Sequence, residues 1–167
     1  MPLLASPPER IYLLRHAKSG WAMPGGRDFD RTLDQAGLEE AAQVADEAAT
    51  RGYRPGLVLS SSAMRCRQTA EAVQRAIDGD TEFRFADGLY NAPAESYVDA
   101  LGQLDAFSSV MLVGHNPAIE ELFATLVGMD VVNRTIPEGY PTSGLAVLDR
   151  NGDSDDEDWI LRDFLVG

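Results

Sequence analysis

The sequence predicts an α/β fold in three layers: a mainly parallel sheet with helices on both faces, closed by a C-terminal antiparallel hairpin. Three observations carry this. The apolar runs Ile11-Tyr12-Leu13-Leu14, Leu57-Val58-Leu59 and Val110-Met111-Leu112-Val113 read as strands buried on both faces. Segments with helical spacing of apolar residues separate them, and such alternation implies a parallel sheet covered by helices. The last stretch holds two strand-like segments around a polar turn. At 167 residues the chain fits a single domain, 1–167.

Residues 11–15 are the first strand. Gly20 to Asp34 contains Gly25-Gly26 and several charges and reads as a loop. From Gln35 to Arg51, Leu38, Ala42, Ala45 and Ala49 fall on one helical face, and Gly52 serves as the stop. After the strand at Leu57 to Leu59, Ser61 or Ser62 can cap a helix over 63–77, whose Cys66, Ala70, Val73 and Ile77 share a face. Glu82 to Phe85 reads as an edge strand. Tyr97, Leu101 and Leu104 mark a third helix, and Ser109 to Val113 the third buried strand. Asn116 reads as an N-cap with Pro117 at the first helical position; Ile119, Leu122, Phe123 and Leu126 form the buried stripe, and Gly128 ends it. Leu145 to Asp149 and Trp159 to Val166 form the hairpin. Its acidic tip, Asn151 to Asp158, reads as a solvated loop.

Composition narrows the function. The hydrophobic fraction of 44% supports a core, and the net charge of −13 argues against a nucleic-acid surface. Lys18 is the only lysine, and no polybasic stretch suits an anionic membrane. Cys66, the only cysteine, precludes an internal disulfide and fits a reducing compartment. The N-terminal residues lack the charged and apolar regions of a signal peptide, and no run approaches a membrane span. The expectation is a soluble cytoplasmic protein without nucleic-acid or membrane partners.

Both histidines stand just past buried strands, His16 beside Arg15 and His115 in Val113-Gly114-His115-Asn116-Pro117. Ligands of parallel sheets bind outside the carboxyl ends of the strands. A phosphate ester needs a nucleophile at phosphorus and cations on its oxygens. Neutral imidazole is a competent nucleophile, its ordinary pKa being about 6.5. Arg15 is expected to keep His16 unprotonated by like-charge repulsion. Its second ring nitrogen needs a fixed acceptor. Arg65, in the first turn of the 63–77 helix, adds a planar fork of donors to free helix N–H groups. Its charge opposes the helix dipole at a cost of roughly 0.3–1 kcal/mol. A protonated His115 would complete a cup of three cations. One charge contact at 4 Å is worth about 4 kcal/mol at an effective dielectric near 20. Surface carboxylates beyond about 8 Å are screened. Local cations therefore outweigh the net charge.

Each residue alone has a plainer reading: a satisfied core histidine, a surface ion pair for Arg15, a solvated Arg65 or Arg67, a core filler for Cys66. Their convergence at strand ends favours the site. Thr142, Ser143 and Gly144 precede the last hairpin and either edge the pocket or simply turn the chain.

With these residues assembled, the chain resembles the histidine phosphatase superfamily. Leu14-Arg15-His16-Ala17 is similar to its N-terminal Arg-His motif. Ser61-Ser62-Ala63-Met64-Arg65-Cys66-Arg67-Gln68-Thr69-Ala70 resembles its second, and Val113-Gly114-His115-Asn116-Pro117 its third. Within it the chain looks most like the small phosphohistidine phosphatases of the SixA branch. The supporting segments are Arg15-His16-Ala17-Lys18-Ser19 with Trp21, Asp28-Phe29-Asp30-Arg31-Thr32-Leu33 and Leu89-Tyr90-Asn91-Ala92. Thr32 departs from the branch's usual proline, and Ser62 from a proline common in the superfamily.

The resemblance implies a histidine phosphatase-like fold and a two-step reaction. His16 takes the phosphoryl group as a covalent phosphohistidine while Arg15, Arg65 and His115 hold its oxygens, and water then releases phosphate. Lys18 and Ser19 are expected to help bind substrate. The chemistry requires no metal and no cofactor. The partner is a phosphorylated protein or a small phosphorylated metabolite. Superfamily members often carry a carboxylate acid after the second motif; the candidates are Asp87, Glu95 and Asp99, with Glu95 in the catalytic set. Glu95 also reads as a first-turn dipole partner. Without an acid the chain should prefer good leaving groups such as phosphohistidine, whose imidazole can leave already protonated. A small-molecule phosphomonoesterase and a non-catalytic phosphate-binding module remain open.

Other phosphate and hydrolase sites do not fit. A cysteine phosphatase needs an arginine six residues after the cysteine, where Ala72 stands. Lys18 follows Ala17 and not the glycine of a P-loop, and no Gly-x-Ser-x-Gly elbow is present.

Overall fold

The apolar runs line up edge to edge in one sheet. Its strands are β1 (Arg10–Arg15), β2 (Leu57–Ser61), β3 (Glu82–Ala86), β4 (Ser109–Gly114), β5 (Leu145–Asp149) and β6 (Ile160–Leu165), in the order β3-β2-β4-β1-β5-β6. The structure is a computed structural model and describes residues 4, 7–77, 79–152 and 159–167. Strands β3, β2, β4 and β1 run parallel to one another; β5 lies antiparallel to β1 and β6 antiparallel to β5. The hairpin is as expected; residues 153–158 of its acidic tip lie outside the described residues.

Side chains alternate across each strand, so every strand feeds two cores. Tyr12, Leu14, Val58, Met111 and Val113 pack under α1 (Gln35–Thr50) and α2 (Met64–Ala76). Ile11, Leu13, Leu57, Val110 and Leu112 pack on the other face with Tyr97 and Leu101 of α3 (Ala94–Gly102), Ile119, Leu122 and Phe123 of α4 (Ala118–Val127) and Val132 of α5 (Met129–Thr135). Each fully buried large apolar side chain contributes about 1.5–3 kcal/mol. This two-sided burial holds the carboxyl ends of the central strands in fixed positions. Among the described residues, no helix is long and apolar enough to cross a membrane.

Three local expectations need correction. The first helix forms where expected, but its buried face is Gly37, Ala41, Val44, Ala45 and Ala48, about one residue round from the Leu38 stripe, and Leu38 is exposed. An alanine-rich helix offers two neighbouring stripes of similar apolarity. The choice falls to Gly37, where any Cβ would overlap the backbone of Lys18, and to Asp34, whose carboxylate caps the Gly37 N–H at 2.7 Å. Helix α2 has Ala63 at its N-cap position with no side-chain cap. Ser61 Oγ does accept the Ala63 N–H at 3.3 Å, but the Ser62 hydroxyl donates to Asp87. Helix α4 starts at Ala118 and not at Pro117; Asn116 still caps it by accepting the Glu120 N–H at 3.2 Å. Helix α5 and two short 3₁₀ turns, at Asp28–Asp30 and Asp87–Leu89, add to the expected elements. Only Val132 of α5 is buried, so no stripe announces it.

Candidate active site

Parallel pairing of β1 with β4 sets Arg15 opposite Gly114, and the His16 N–H donates to the Gly114 carbonyl at 3.0 Å. The residues that follow each strand are thereby brought together: the rings of His16 and His115 lie 5.4 Å apart, edge to face. Gly114 is required there, because the Tyr97 ring occupies the space of a Cβ. The Tyr97 hydroxyl in turn accepts the His115 N–H at 3.2 Å.

His16 Nδ1 lies 2.7 Å from the carbonyl oxygen of its neighbour Ala17. A carbonyl only accepts, so Nδ1 carries the proton and Nε2 keeps its lone pair. This is the acceptor a nucleophilic imidazole needs. It is a main-chain atom, so no side chain in the sequence betrays it. The Ala17 N–H donates to Thr69 Oγ1 at 3.0 Å, and the Thr69 hydroxyl donates to the Arg65 carbonyl at 2.8 Å. The nucleophile's turn is thus tied to the turn of α2 that bears Arg65.

Burial takes the His16 pKa down to about 3, with His115, Arg65 and Arg15 pushing the same way and the Ala17 carbonyl opposing. The expected cause, Arg15, is the weakest of these; desolvation of the ring dominates. Burial, aided by Arg65 and Arg15, also lowers His115 to about 4, against the opposing charge of Asp28. His115 is therefore neutral at pH 7, not the third cation. One of its ring nitrogens, Nε2, lies 2.8 Å from Ser61 Oγ and 3.5 Å from Cys66 Sγ. Burial lifts the Cys66 thiol to about 12, so it stays protonated.

The chain has only two histidines, which makes this readable by NMR. Nitrogen spectra should show His16 as the Nδ1–H tautomer and neither ring protonating between pH 7.5 and 5.5. A ring titrating near 6.5 would contradict the buried pair. The sign for stability follows. Both folded pKa values lie below the unfolded value of about 6.5. The unfolded chain therefore takes up protons first, and stability falls from pH 6.5 towards 4 for His115 and towards 3 for His16.

Arg15 donates through Nη1 to the Tyr140 carbonyl at 2.8 Å, and its Nε is buried with no hydrogen-bond partner. Tyr140 is held in turn by its hydroxyl, which donates to the Leu13 carbonyl at 2.6 Å. The Ser143 N–H donates to the carbonyls of Arg15 and His16 at 3.1 and 3.3 Å, and the Arg15 N–H to the Gly144 carbonyl at 3.2 Å. The segment before β5 therefore braces the Arg-His turn. Arg65 is almost wholly buried; its Nη1 donates to the Asp28 carbonyl at 2.8 Å and its Nη2 to Asp28 Oδ2 at 3.1 Å. Tyr90 lies between, its ring 5.7 Å from that of His115 and 5.8 Å from the Arg65 guanidinium carbon.

Comparisons with known proteins give the family. The family model of the histidine phosphatase superfamily (branch 1) matches residues 11–97. The chain belongs to that superfamily. A solved structure from Agrobacterium tumefaciens, provisionally assigned as the phosphohistidine phosphatase SixA, is 50% identical; the match covers 96% of this chain and 99% of that one, with a TM-score of 0.89. A second, from Nakamurella multipartitia and with the same provisional assignment, is 28% identical over 95% and 97% of the two chains, with a TM-score of 0.71. An uncharacterized chloroplastic protein of Arabidopsis thaliana is 33% identical over 137 residues, 75% of this chain, and the match spans 62% of the relative's own length.

Not every expected residue joins the cluster around His16 and His115. Lys18 is exposed, 3.9 Å from Asp34, and its N–H donates to Glu40 at 2.9 Å. Ser19 accepts from Arg31 at 2.9 Å. Glu95 and Asp99 line a crevice between α3 and α4, and among the described residues no hydrogen bond joins either to the cluster. Asp87 accepts the Ser62 hydroxyl. Two residues of the cluster, Asp28 and Tyr90, stood in segments that carry the resemblance without having been given a role.

Proposed function

We propose that the chain is a phosphatase acting on phosphohistidine of a protein through a covalent intermediate on His16. The observation that carries this is the His16 ring, its Nδ1–H committed to Ala17 and its Nε2 left with a lone pair, in a cluster with His115 and two guanidinium groups. The Nε2–P bond forms as the substrate's P–N bond breaks, and the substrate imidazole leaves with the proton it carries. Water then attacks phosphorus, breaks the Nε2–P bond and releases phosphate. Arg15 and Arg65 hold the non-bridging oxygens; the buried, unpartnered Arg15 Nε is a donor that a phosphoryl oxygen would satisfy. A bound dianion would also favour protonation of His115, which then donates to it. The guanidinium groups supply the positive charge a metal would otherwise provide. One domain, residues 1–167, is taken to carry the whole site, and the single buried cysteine suits a cytoplasmic setting.

The leaving group supports the phosphohistidine reading. Among the described residues Glu95 and Asp99 have no hydrogen bond to the cluster, and Asp28, paired with Tyr90 and two arginines, stays ionised and is a poor proton donor. An alkyl phosphate needs an acid at its leaving oxygen; a protonated phosphoimidazole does not. Asp87, whose carboxylate accepts the Ser62 hydroxyl, is the remaining acid candidate for a small-metabolite phosphomonoesterase. Rates on a phosphohistidine peptide and on a simple alkyl phosphate decide between the two: kcat/KM should be higher on the peptide, and faster alkyl turnover overturns the assignment.

A further inference from the structure

The carboxylate of Asp28 stands against the buried arginine of the site. Its Oδ2 accepts the Tyr90 hydroxyl at 2.6 Å and Arg65 Nη2 at 3.1 Å, and its Oδ1 accepts Arg31 Nη1 at 2.9 Å. The Arg65 side chain is 8% exposed whereas that of Asp28 is 48% exposed, so the carboxylate meets solvent where the guanidinium does not. Its charge is also felt by His115. Tyr90 and the two arginines hold Asp28 ionised, well below the usual carboxylate range.

The loop that carries Asp28 offers no spare positive charge. Its three basic residues each face a carboxylate: Lys18 is 3.9 Å from Asp34, Arg27 is 2.9 Å from Asp30, and Arg31 is 2.9 Å from Asp28. Arg15 and Arg65 together balance one phosphoryl dianion, and a His115 protonated by that dianion is spent on the same oxygens. A second anionic group beside the phosphoryl therefore meets Asp28 without a free cation from this loop. A cationic group there meets a fixed negative charge and is stabilised.

We propose that Asp28 is a specificity-determining residue, which selects phosphorylated substrates whose leaving group is cationic or neutral and rejects those with a second anionic group next to the phosphoryl. This deepens the reading above, since a protonated phosphoimidazole is such a substrate, and it rests on that reading only for turnover.

Three aryl phosphates of like size test it, one neutral, one with a carboxylate and one with a trimethylammonium group on the ring. For the wild type, kcat/KM should rank ammonium over neutral over carboxylate, with about a tenfold or larger spread. Asp28→Asn keeps one side-chain acceptor and the main-chain carbonyl that holds Arg65, and should shrink that spread at least fivefold, whereas Asp28→Glu should keep the order. Raising salt should also narrow the spread for the wild type, because Asp28 is partly solvated; this arm needs no variant to fold. An equal fall on all three substrates in Asp28→Asn, with the spread unchanged, would mean that Asp28 only positions Arg65 and would overturn the proposal. A wild type with no charge preference would overturn it too. Failure on the phosphohistidine peptide with the aryl ranking intact removes the substrate reading and leaves the role of Asp28 standing. No turnover of any aryl phosphate contradicts both.

Discussion

His16→Ala abolishes turnover: kcat on an aryl phosphate should fall by about 10⁴-fold or more, the scale expected when a covalent nucleophile is removed. No neighbour can replace it. His115 is engaged with Ser61 and Cys66, and the Cys66 thiol is buried and protonated. The fold should survive, because among the described residues the His16 ring bonds only to the adjacent Ala17 carbonyl, and the strand register is set by main-chain bonds. A melting temperature within a few degrees of wild type, with activity gone, separates chemistry from folding. Retention of more than about a hundredth of the wild-type rate would remove His16 as nucleophile. An inactive wild type would instead point to the phosphate-binding module.

Arg65→Ala is expected to lower kcat/KM by about 10²–10³-fold, the loss of about 2.7–4 kcal/mol typical when one transition-state donor is deleted. Arg65→Lys should recover only part of it, because an ammonium group has no planar fork. The structure explains why a cation sits in the first turn of a helix despite the dipole. Asp28 meets it with a carbonyl and a carboxylate, and Tyr90 lies against the guanidinium. The competing view is that Arg65 is structural, an anchor that fastens the Asp28 turn to α2. That view predicts a loss of stability with kcat/KM changed less than threefold in the variant that still folds. The catalytic view predicts the reverse.

How much of this was legible in the sequence depended on the kind of signal. The buried strands were plain because Ile11 to Leu14, Leu57 to Leu59 and Val110 to Val113 are apolar at every position, which only a sheet covered on both faces requires. The face of α1 was not, since alanines surround that helix and the deciding contact is Gly37 against Lys18. The meeting of His16 with His115 followed from two strand ends in a parallel sheet. The network around Arg65 did not, because it joins residues 37 and 62 positions apart through a short 3₁₀ turn that no periodicity marks. Charge reasoning erred in a consistent way. It assigned the His16 pKa to Arg15 and kept His115 as a cation, when removal of the rings from water dominates both.

The most direct test of the central claim is to catch the phosphoryl group on the enzyme. Turnover with an aryl phosphate is stopped in alkali, where N-phosphoryl bonds persist, and the peptides are read by mass spectrometry. The expected product is one phosphoryl group on the peptide carrying His16, absent from His16→Ala. A phosphoryl group on His115, or none on His16 when phenol release shows a stoichiometric burst, would contradict it.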